Sequence, residues 1–229
     1  MLKGNGKRLL VKIFSVFIAV ICVFSVYPQN VKAEKGKKVI LIDPGHGGID
    51  GGASLRDGTL EKDINLKISL RLKHELEKKY TVVLTRSEDK GLYTEKSKTV
   101  RKKKDEDLNN RCKMKKSSKC DVFLSIHLNM FPQSQYHGAQ VWYANNDESK
   151  TLAAILQNNL REDLDKKNKR KEKVSINDYR VLRDSGDVPS VIVECGFLSN
   201  PEEAAKLKDD GYQIKLSKSI KKSLDEFFK

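Results

Sequence analysis

Short runs of consecutive apolar residues recur along this chain and are separated by longer segments with helical periodicity. The runs lack the polar–apolar alternation of a half-exposed strand, so they predict strands that are buried on both faces. Gly, Asp, Asn or Pro residues follow several of these runs and indicate turns at their ends. The predicted strands cover residues 39–42, 81–85, 122–126, 139–143 and 191–193.

Amphipathic helices are predicted between the strands. From residue 60 to about 79, the apolar residues Ile64, Ile68, Leu72 and Leu76 repeat every four positions, and Asp57 or Thr59 is expected to cap this helix. Similar patterns predict a helix at 151–166 and two closing helices within 201–228. Two strongly charged stretches, 87–107 and 166–173, are predicted to be exposed loops, the first mobile and followed by a helical end near 108–116.

Buried strands that alternate with amphipathic helices predict a single α/β domain with a mostly parallel central sheet covered by helices on both faces. In such sheets, functional groups collect just beyond the carboxyl ends of the strands. The residues that follow each predicted strand are therefore the first candidates for chemistry.

Residues 1–33 have the order of a secretory signal peptide. A basic start precedes an apolar run at 13–26, and Val31-Lys32-Ala33 is a small-x-small cleavage pattern. The run is short for a membrane span, although a retained N-terminal membrane anchor is the alternative reading. Either reading predicts an exported protein that meets the membrane only through this segment, with a catalytic domain at 34–229.

The chain is basic, with 45 Lys and Arg against 31 Asp and Glu. This charge suits a polyanionic surface such as cell wall or anionic lipid, and equally a solvated lysine-rich surface. Nucleic acid is not an expected partner, because the chain is exported and shows no aromatic–basic RNA-binding pattern. Three cysteines follow the N-terminal segment, and an odd number argues against a disulfide framework, although Cys112 and Cys120 could pair.

Four side chains are predicted to converge at one edge of the sheet. His46, His127 and Glu194 follow the first, third and last strands, and Glu61 begins the helix after the glycine-rich loop. Two imidazoles and one carboxylate are a recurrent ligand set for catalytic zinc, whose fourth position is left to water. Glu194 would then be the acid/base, because a buried carboxylate at the end of an apolar strand needs a metal, a cation or a chemical task.

Each of these residues also has a simpler interpretation. A single histidine after a strand is often a satisfied polar residue, and Glu61 alone could be an early-helix acid favoured by the helix dipole. Asp43 is a candidate for orienting one of the histidines by a hydrogen bond. Only the convergence of all four side chains distinguishes a metal site from these alternatives.

Four motifs in the chain resemble those of the zinc-dependent N-acetylmuramoyl-L-alanine amidases, in the same order and with similar spacing. The resemblance extends from about residue 38 to the C-terminus. It implies that His46, Glu61 and His127 bind one zinc ion and that Glu194 is the catalytic carboxylate. The motifs are LIDPGHGGIDGGA (41–53), EKDINL (61–66), SIHLN (125–129) and PSVIVECGFLSN (189–200).

The resemblance also implies a substrate and further binding residues. The substrate would be peptidoglycan, cut between N-acetylmuramic acid and L-alanine, and the short form without a wall-binding module is most similar to spore-cortex amidases, which allow muramic δ-lactam to form. Arg86, Arg111 and Asn129 are candidate substrate-binding residues. Structural pairing is the alternative for the arginines, and shaping of the turn is the alternative for Asn129. An accessory protein or the basic loops would localise the enzyme.

Two other functions remain open at this point. One is a different zinc peptidase or a deacetylase that acts on cell wall through the same site. The other is a non-catalytic wall-binding protein of the same fold.

Overall fold

The computed structural model describes residues 36–183 and 185–229, and the predicted signal peptide or membrane anchor at 1–33 lies outside them. A six-stranded sheet forms the centre of the domain, with the strand order β2-β1-β3-β6-β4-β5. The strands are β1 (Val39–Pro44), β2 (Thr81–Leu84), β3 (Val122–Asn129), β4 (Gln140–Ala144), β5 (Lys173–Ser175) and β6 (Ser190–Phe197).

The sheet is mostly parallel, as predicted. Strands β1, β2, β3 and β6 run in the same direction, and β4 pairs with β6 in the antiparallel sense. The three-residue strand β5 extends the sheet beside β4 and begins at Lys173, the last residue of the stretch predicted as a loop. Every residue of β1 and β6 is buried, which explains why both read as unbroken apolar runs.

Helices cover both faces of the sheet. On one face, α6 packs against both α1 and α3, and all three helices contribute to the larger apolar cluster. On the other face, α2 contacts α4 over a smaller cluster that includes Leu41, Phe123 and Ile192. The helices are α1 (Glu61–Leu76), α2 (Val100–Ser117), α3 (Asp147–Leu164), α4 (Arg180–Arg183), α5 (Pro201–Lys208) and α6 (Asp210–Phe227).

The largest error of the sequence prediction concerns α2. The stretch predicted as a mobile loop to residue 107 becomes helical at Val100, where the Thr99 side chain accepts a hydrogen bond from the backbone N–H of Lys102. The start of α2 was missed because residues 100–107 are mostly charged and none of them is buried, so they carry no apolar stripe. The buried residues of the helix, Arg111 and Lys115, lie in the part that was predicted as a helical end.

The capping prediction for α1 was also wrong. Leu60 is the N-cap and provides no side-chain hydrogen bond, whereas Asp57 accepts a hydrogen bond from the backbone of Thr59 in the preceding turn. The two closing helices are confirmed as α5 and α6, and Asn200 and Asp209 cap them. Among the described residues, no helix is both long and apolar enough to span a membrane, and Cys112, Cys120 and Cys195 form no disulfide.

Candidate metal centre

The turn after β1 brings His46 to the carboxyl edge of the sheet. His46 has a φ of 62°, in the left-handed region that residues with a side chain rarely adopt. Gly45 precedes it and lies flat against the His127 ring, where a Cβ atom would come within 2.3 Å of the imidazole. Only glycine fits at position 45, so the two histidines are brought together by a backbone that has no room for a side chain between them.

Glu61 is the first residue of α1, and its carboxylate is held from several directions. The backbone N–H of Ala53 donates to Oε2 at 2.9 Å, and the backbone N–H of Leu128 donates to Oε1 at 3.0 Å. The Asn65 side chain donates to Oε1 at 3.3 Å from the next turn of the helix. The carboxylate is therefore buried and oriented before any metal or substrate is present.

The two imidazoles lie on either side of this carboxylate. His46 Nε2 is 3.2 Å from Glu61 Oε2, and His127 Nδ1 is 3.0 Å from Glu61 Oε1. The two rings meet edge to face with centroids 4.9 Å apart. One potential ligand atom from each of the three residues lies within 4.8 Å of the others, so the predicted convergence of these side chains is observed.

The geometry and chemistry of this trio fit a zinc ion. Two ligands of a tetrahedral zinc ion, each about 2.0–2.1 Å from the metal, are separated by roughly 3.4 Å. The His46–Glu61 and His127–Glu61 separations of 3.2 and 3.0 Å come within a few tenths of an ångström of that spacing. Two imidazoles and one carboxylate also leave a fourth position open, as in hydrolytic zinc sites.

Asp50 orients the first of these histidines. The Nδ1–H of His46 donates to Asp50 Oδ2 at 3.0 Å, which leaves Nε2 directed at Glu61. The other oxygen of Asp50 pairs with Lys104 Nζ of α2 at 2.8 Å. A carboxylate behind a ligating histidine is the usual arrangement at zinc sites, because it selects the tautomer and fixes the ring.

Glu194 lies on β6, directly across from His127 in the sheet register. Its side chain is buried, and Oε2 has no hydrogen-bond partner among the described residues. A buried carboxylate oxygen without a hydrogen-bond partner costs free energy, so we expect a water molecule or a substrate group to bind this atom. Tyr179, from the turn before α4, interacts with the same carboxyl group and packs edge-on against Trp142.

The surroundings of the two glutamates shift their pKa values in opposite directions. Burial raises the pKa of Glu194 to about 7, with the Glu61 charge adding to the increase and the two histidines opposing it. The pKa of Glu61 is lowered, because hydrogen bonds from His127 and His46 outweigh its burial. Burial tends to lower the pKa of His46, but the Asp50 and Glu61 carboxylates raise it to about 9. Thus Glu61 is suited to remain ionised, and Glu194 to exchange a proton near neutral pH.

The two arginines proposed as substrate-binding residues lie beneath the loop that carries His46. Arg86 is 2% exposed and donates to the carbonyl oxygens of Pro44, Gly45 and Lys62. Arg111 is equally buried, and it pairs with Asp43 at 2.5 Å and donates to the carbonyl oxygen of His46 at 2.6 Å. These contacts support the alternative structural interpretation, in which the arginines hold the loop.

The sequence left the roles of Asp43 and Asn129 open, and the structure shows what each residue contacts. Asp43 accepts hydrogen bonds from Thr85, Ser125 and Arg111, so it supports the strand ends, and Asp50 rather than Asp43 contacts the candidate ligand His46. Asn129 ends β3, two residues after His127, at an irregularity in the β3–β6 pairing. Its carbonyl oxygen accepts a hydrogen bond from Leu198, which shapes the turn, and its half-exposed side chain stays a candidate for substrate contact.

A cleft lies beside the candidate metal ligands His46 and His127, and it is lined by the loop at 46–50, by α2 and by the residues around Tyr179. His46 and His127 line its floor together with Ile192. Tyr93, Lys104 and Arg180 line its walls. Sequence reasoning missed Asp50, Tyr179 and this wall, although Asp50 lies within the first glycine-rich motif. Side-chain contacts across loops leave no periodic signal.

Comparisons with known proteins show which family the chain belongs to. Residues 40–226 match the Amidase_3 family, described as N-acetylmuramoyl-L-alanine amidase. The chain is 36% identical over 193 residues to the germination-specific N-acetylmuramoyl-L-alanine amidase of Bacillus subtilis, covering 83% of this chain and 80% of that protein.

Solved structures show the same similarity. The CwlD amidase of Clostridioides difficile, solved in complex with the GerS lipoprotein, is 43% identical with a TM-score of 0.80, covering 83% of this chain and 98% of that one. An N-acetylmuramoyl-L-alanine amidase from Clostridium difficile 630 is 32% identical with a TM-score of 0.71, covering 84% of this chain and 97% of that one.

Proposed function

This chain belongs to the N-acetylmuramoyl-L-alanine amidase family, and we propose that it hydrolyses the amide between N-acetylmuramic acid and L-alanine in spore-cortex peptidoglycan with one zinc ion. His46, Glu61 and His127 would hold the zinc, and Glu194 would be the catalytic acid/base. The observation that carries the proposal is the convergence of these three ligands beside a buried carboxylate oxygen that has no hydrogen-bond partner among the described residues.

Each residue of the site has a task in this reaction. Zinc bound in such a site polarises a carbonyl group and makes water a stronger nucleophile near neutral pH. Glu194 accepts a proton from the water that attacks the lactyl carbonyl carbon, and then donates it to the nitrogen of L-alanine as the C–N bond breaks. The loop of His46 and the residues around Tyr179 line the cleft in which the scissile amide would lie.

The cortex as the site of action rests on similarity to the germination-specific amidase. Action on cortex or wall places the enzyme outside the cytoplasm, which agrees with the signal peptide or anchor predicted at 1–33. An accessory protein is part of the proposal, because the Clostridioides difficile relative was solved in complex with a lipoprotein. Full activity of the purified chain alone on cortex peptidoglycan would count against a required partner.

Analysis of the reaction products tests the function. Purified, zinc-loaded protein is incubated with cortex and with vegetative peptidoglycan, and the products are identified by mass spectrometry. An amidase releases intact peptides with a free L-alanine amino group and leaves muramic acid without peptide. Shortened peptides would instead indicate a peptidase, released acetate a deacetylase, and unchanged polymer a non-catalytic binding protein.

The Glu194→Gln variant tests the assignment of the acid/base. The amide keeps the size of the side chain but cannot take up the proton, so activity should fall by two to four orders of magnitude while zinc content stays at one ion per chain. Near-normal hydrolysis by this variant would remove Glu194 from the mechanism. Loss of zinc would instead make Glu194 a ligand.

A further inference from the structure

The loop between β3 and β4 carries an aromatic surface that the proposed reaction does not use. Residues 130–137 are all exposed, and among them Met130, Phe131 and Tyr136 are large side chains that are 39–44% exposed. Apolar side chains that cluster at the surface, rather than being scattered singly, mark binding sites.

The rings of this surface are held in place rather than loosely displayed. Phe131 packs edge to face on Tyr136 and on Phe197, with centroid distances of 5.4 Å in both pairs. The backbone N–H of Phe131 donates to Ser199 Oγ at 3.2 Å, and the Asn200 side chain donates to the carbonyl oxygen of Ser134 at 3.0 Å. The loop is therefore fastened to the segment that follows β6.

Positive charge borders the rings. The Arg170 guanidinium lies 4.3 Å from the centroid of the buried Phe197 ring and 5.9 Å from that of Tyr136. Its Nε donates to the carbonyl oxygen of His137 at 2.8 Å, which ties the basic stretch 166–173 to this loop. Lys169 and Lys171, on either side of Arg170 in the chain, are exposed.

We propose that this aromatic platform, defined as Phe131, Tyr136 and Arg170 with the flanking Lys169 and Lys171, binds the peptidoglycan strand beyond the muramic acid that is being cleaved. The inference rests on the proposed function. Sugar rings present C–H faces that pack on aromatic rings, and the carboxylates of stem peptides pair with the cations.

The position of the platform favours the substrate polymer as its occupant. Phe131 follows the candidate ligand His127 by four residues, so their Cα atoms lie at most about 14 Å apart. A polymer whose amide occupies the metal site continues past that site along the same edge of the sheet. The platform therefore meets further sugars and peptides of the bound strand, whereas a separate partner protein would have to be recruited.

A comparison of long and minimal substrates tests the platform. The Phe131→Ala/Tyr136→Ala variant should lose about tenfold in kcat/KM on long cortex strands, through KM. It should lose nothing on N-acetylmuramoyl-L-alanine, which has no further sugar or peptide residue to place on the platform. The Leu70→Ala/Ile214→Ala variant is the matched control, because these residues are 39% and 37% exposed on α1 and α6. It should behave as wild type on both substrates.

Two further variants separate stacking from apolar bulk. Phe131→Tyr/Tyr136→Phe keeps both rings and should retain activity on long strands, whereas Phe131→Leu/Tyr136→Leu should fall with the alanine variant. The proposal is overturned if the alanine variant acts normally on long strands, if both substrates are affected equally, or if the leucine variant matches wild type. A protein-docking surface would give the first of these results.

Binding measured without turnover distinguishes this inference from the proposed function. Glu194→Gln protein with and without the two alanine substitutions is sedimented with cortex peptidoglycan, and the platform substitutions should weaken binding about tenfold. If the chain proves inactive on every substrate, the proposed function fails, and this measurement still decides the platform. Equal binding by the two proteins would overturn the proposal that the platform binds the strand.

Discussion

His46 and Asp50 form a hydrogen bond of 3.0 Å between Nδ1–H and Oδ2, which turns the other ring nitrogen of His46 towards Glu61. Three residues separate the ends of this contact, and two of them, Gly47 and Gly48, are glycines of positive φ. The bond makes Asp50 a positioning residue for the candidate metal centre. It also links the centre to α2, because Lys104 pairs with the second oxygen of Asp50.

Replacement of Asp50 should weaken zinc binding. Asp50→Asn keeps the size of the side chain but removes the charge that orients His46, and the zinc affinity should fall by about 10–100-fold. Titration with zinc against a competing chelator measures this change directly. Lys104→Gln is the control, since it removes the other partner of Asp50 and leaves the hydrogen bond to His46. The zinc affinity of this variant should change less than that of Asp50→Asn. Equal affinity of Asp50→Asn and wild type would contradict the role.

Gly52→Ala should disrupt the centre from the other side of the loop. Gly52 has a φ of 67°, and a Cβ atom there would lie 2.5 Å from Glu61 Oε2 and 2.7 Å from His46 Cδ2. Gly58 is the matched control, because its φ is 85° and no atom lies within 4 Å of the added Cβ. Both variants should lose about 1–2 kcal/mol from the positive φ.

Zinc binding separates these two glycine variants. Only Gly52→Ala should also lose zinc, because only its Cβ displaces the candidate ligands. Chemical denaturation gives the free energy of unfolding, and metal analysis after gel filtration gives the zinc content. Retention of a full zinc content by Gly52→Ala would show that the ligands tolerate the displacement.

The buried pair of Asp43 and Arg111 should make stability depend on pH in the acid range. Burial tends to raise the pKa of Asp43, but the charge of Arg111 and hydrogen bonds from Thr85 and Ser125 lower it below its usual value. A carboxyl group with a lowered pKa in the folded state stabilises the fold above its unfolded pKa. That contribution is lost as the pH falls through the acid range towards the folded pKa.

Two substitutions test this dependence. Arg111→Gln leaves Asp43 buried without its cation, which should cost about 3–5 kcal/mol at neutral pH, and Asp43→Asn should flatten the acid limb of the stability curve. Unfolding by urea between pH 3 and 7 measures both. Asp89→Asn, at an exposed carboxylate paired with Lys62, is the control and should leave the curve nearly unchanged. An acid limb as steep in Asp43→Asn as in wild type would contradict the prediction.

The sequence predicted the parts of this fold that depend on burial. The largely apolar run at 122–126 indicated β3 because a strand covered on both faces has few polar positions, and the residues that follow such runs led to His127 and Glu194. The sheet direction of β4 and the existence of the three-residue strand β5 depend on long-range pairing, which periodicity does not report.

The remaining errors have a common physical origin. The start of helix α2, at 100–107, was missed because its mostly charged residues bury no apolar stripe. Arg111, in the part of the helix that was predicted, is satisfied by Asp43 and by backbone carbonyl oxygens that only the folded loop presents. Asp50 was missed for a similar reason, because its contact with His46 depends on how the glycines between them turn the loop. Polar contacts between distant segments stabilise this site without an apolar pattern that would predict them.

Removal of the metal should abolish activity and leave the fold intact. The two apolar clusters of the sheet contain none of the candidate ligands, so the chelated protein should keep its secondary structure by circular dichroism. Zinc at 1,000 times its Kd stabilises the native state by about 4 kcal/mol, which corresponds to a rise in Tm of roughly 10 °C for a domain of this size. Added zinc should therefore restore both the activity and the higher Tm.

Two histidine variants assign this stabilisation to the centre. His127→Ala should show no zinc-dependent change in Tm, because a carboxylate and one imidazole hold zinc weakly. His74→Ala removes an exposed histidine of α1 outside the centre and should keep the full change. A zinc-dependent rise in Tm that persists in His127→Ala would place the metal elsewhere, and full amidase activity in verified metal-free protein would separate the reaction from zinc.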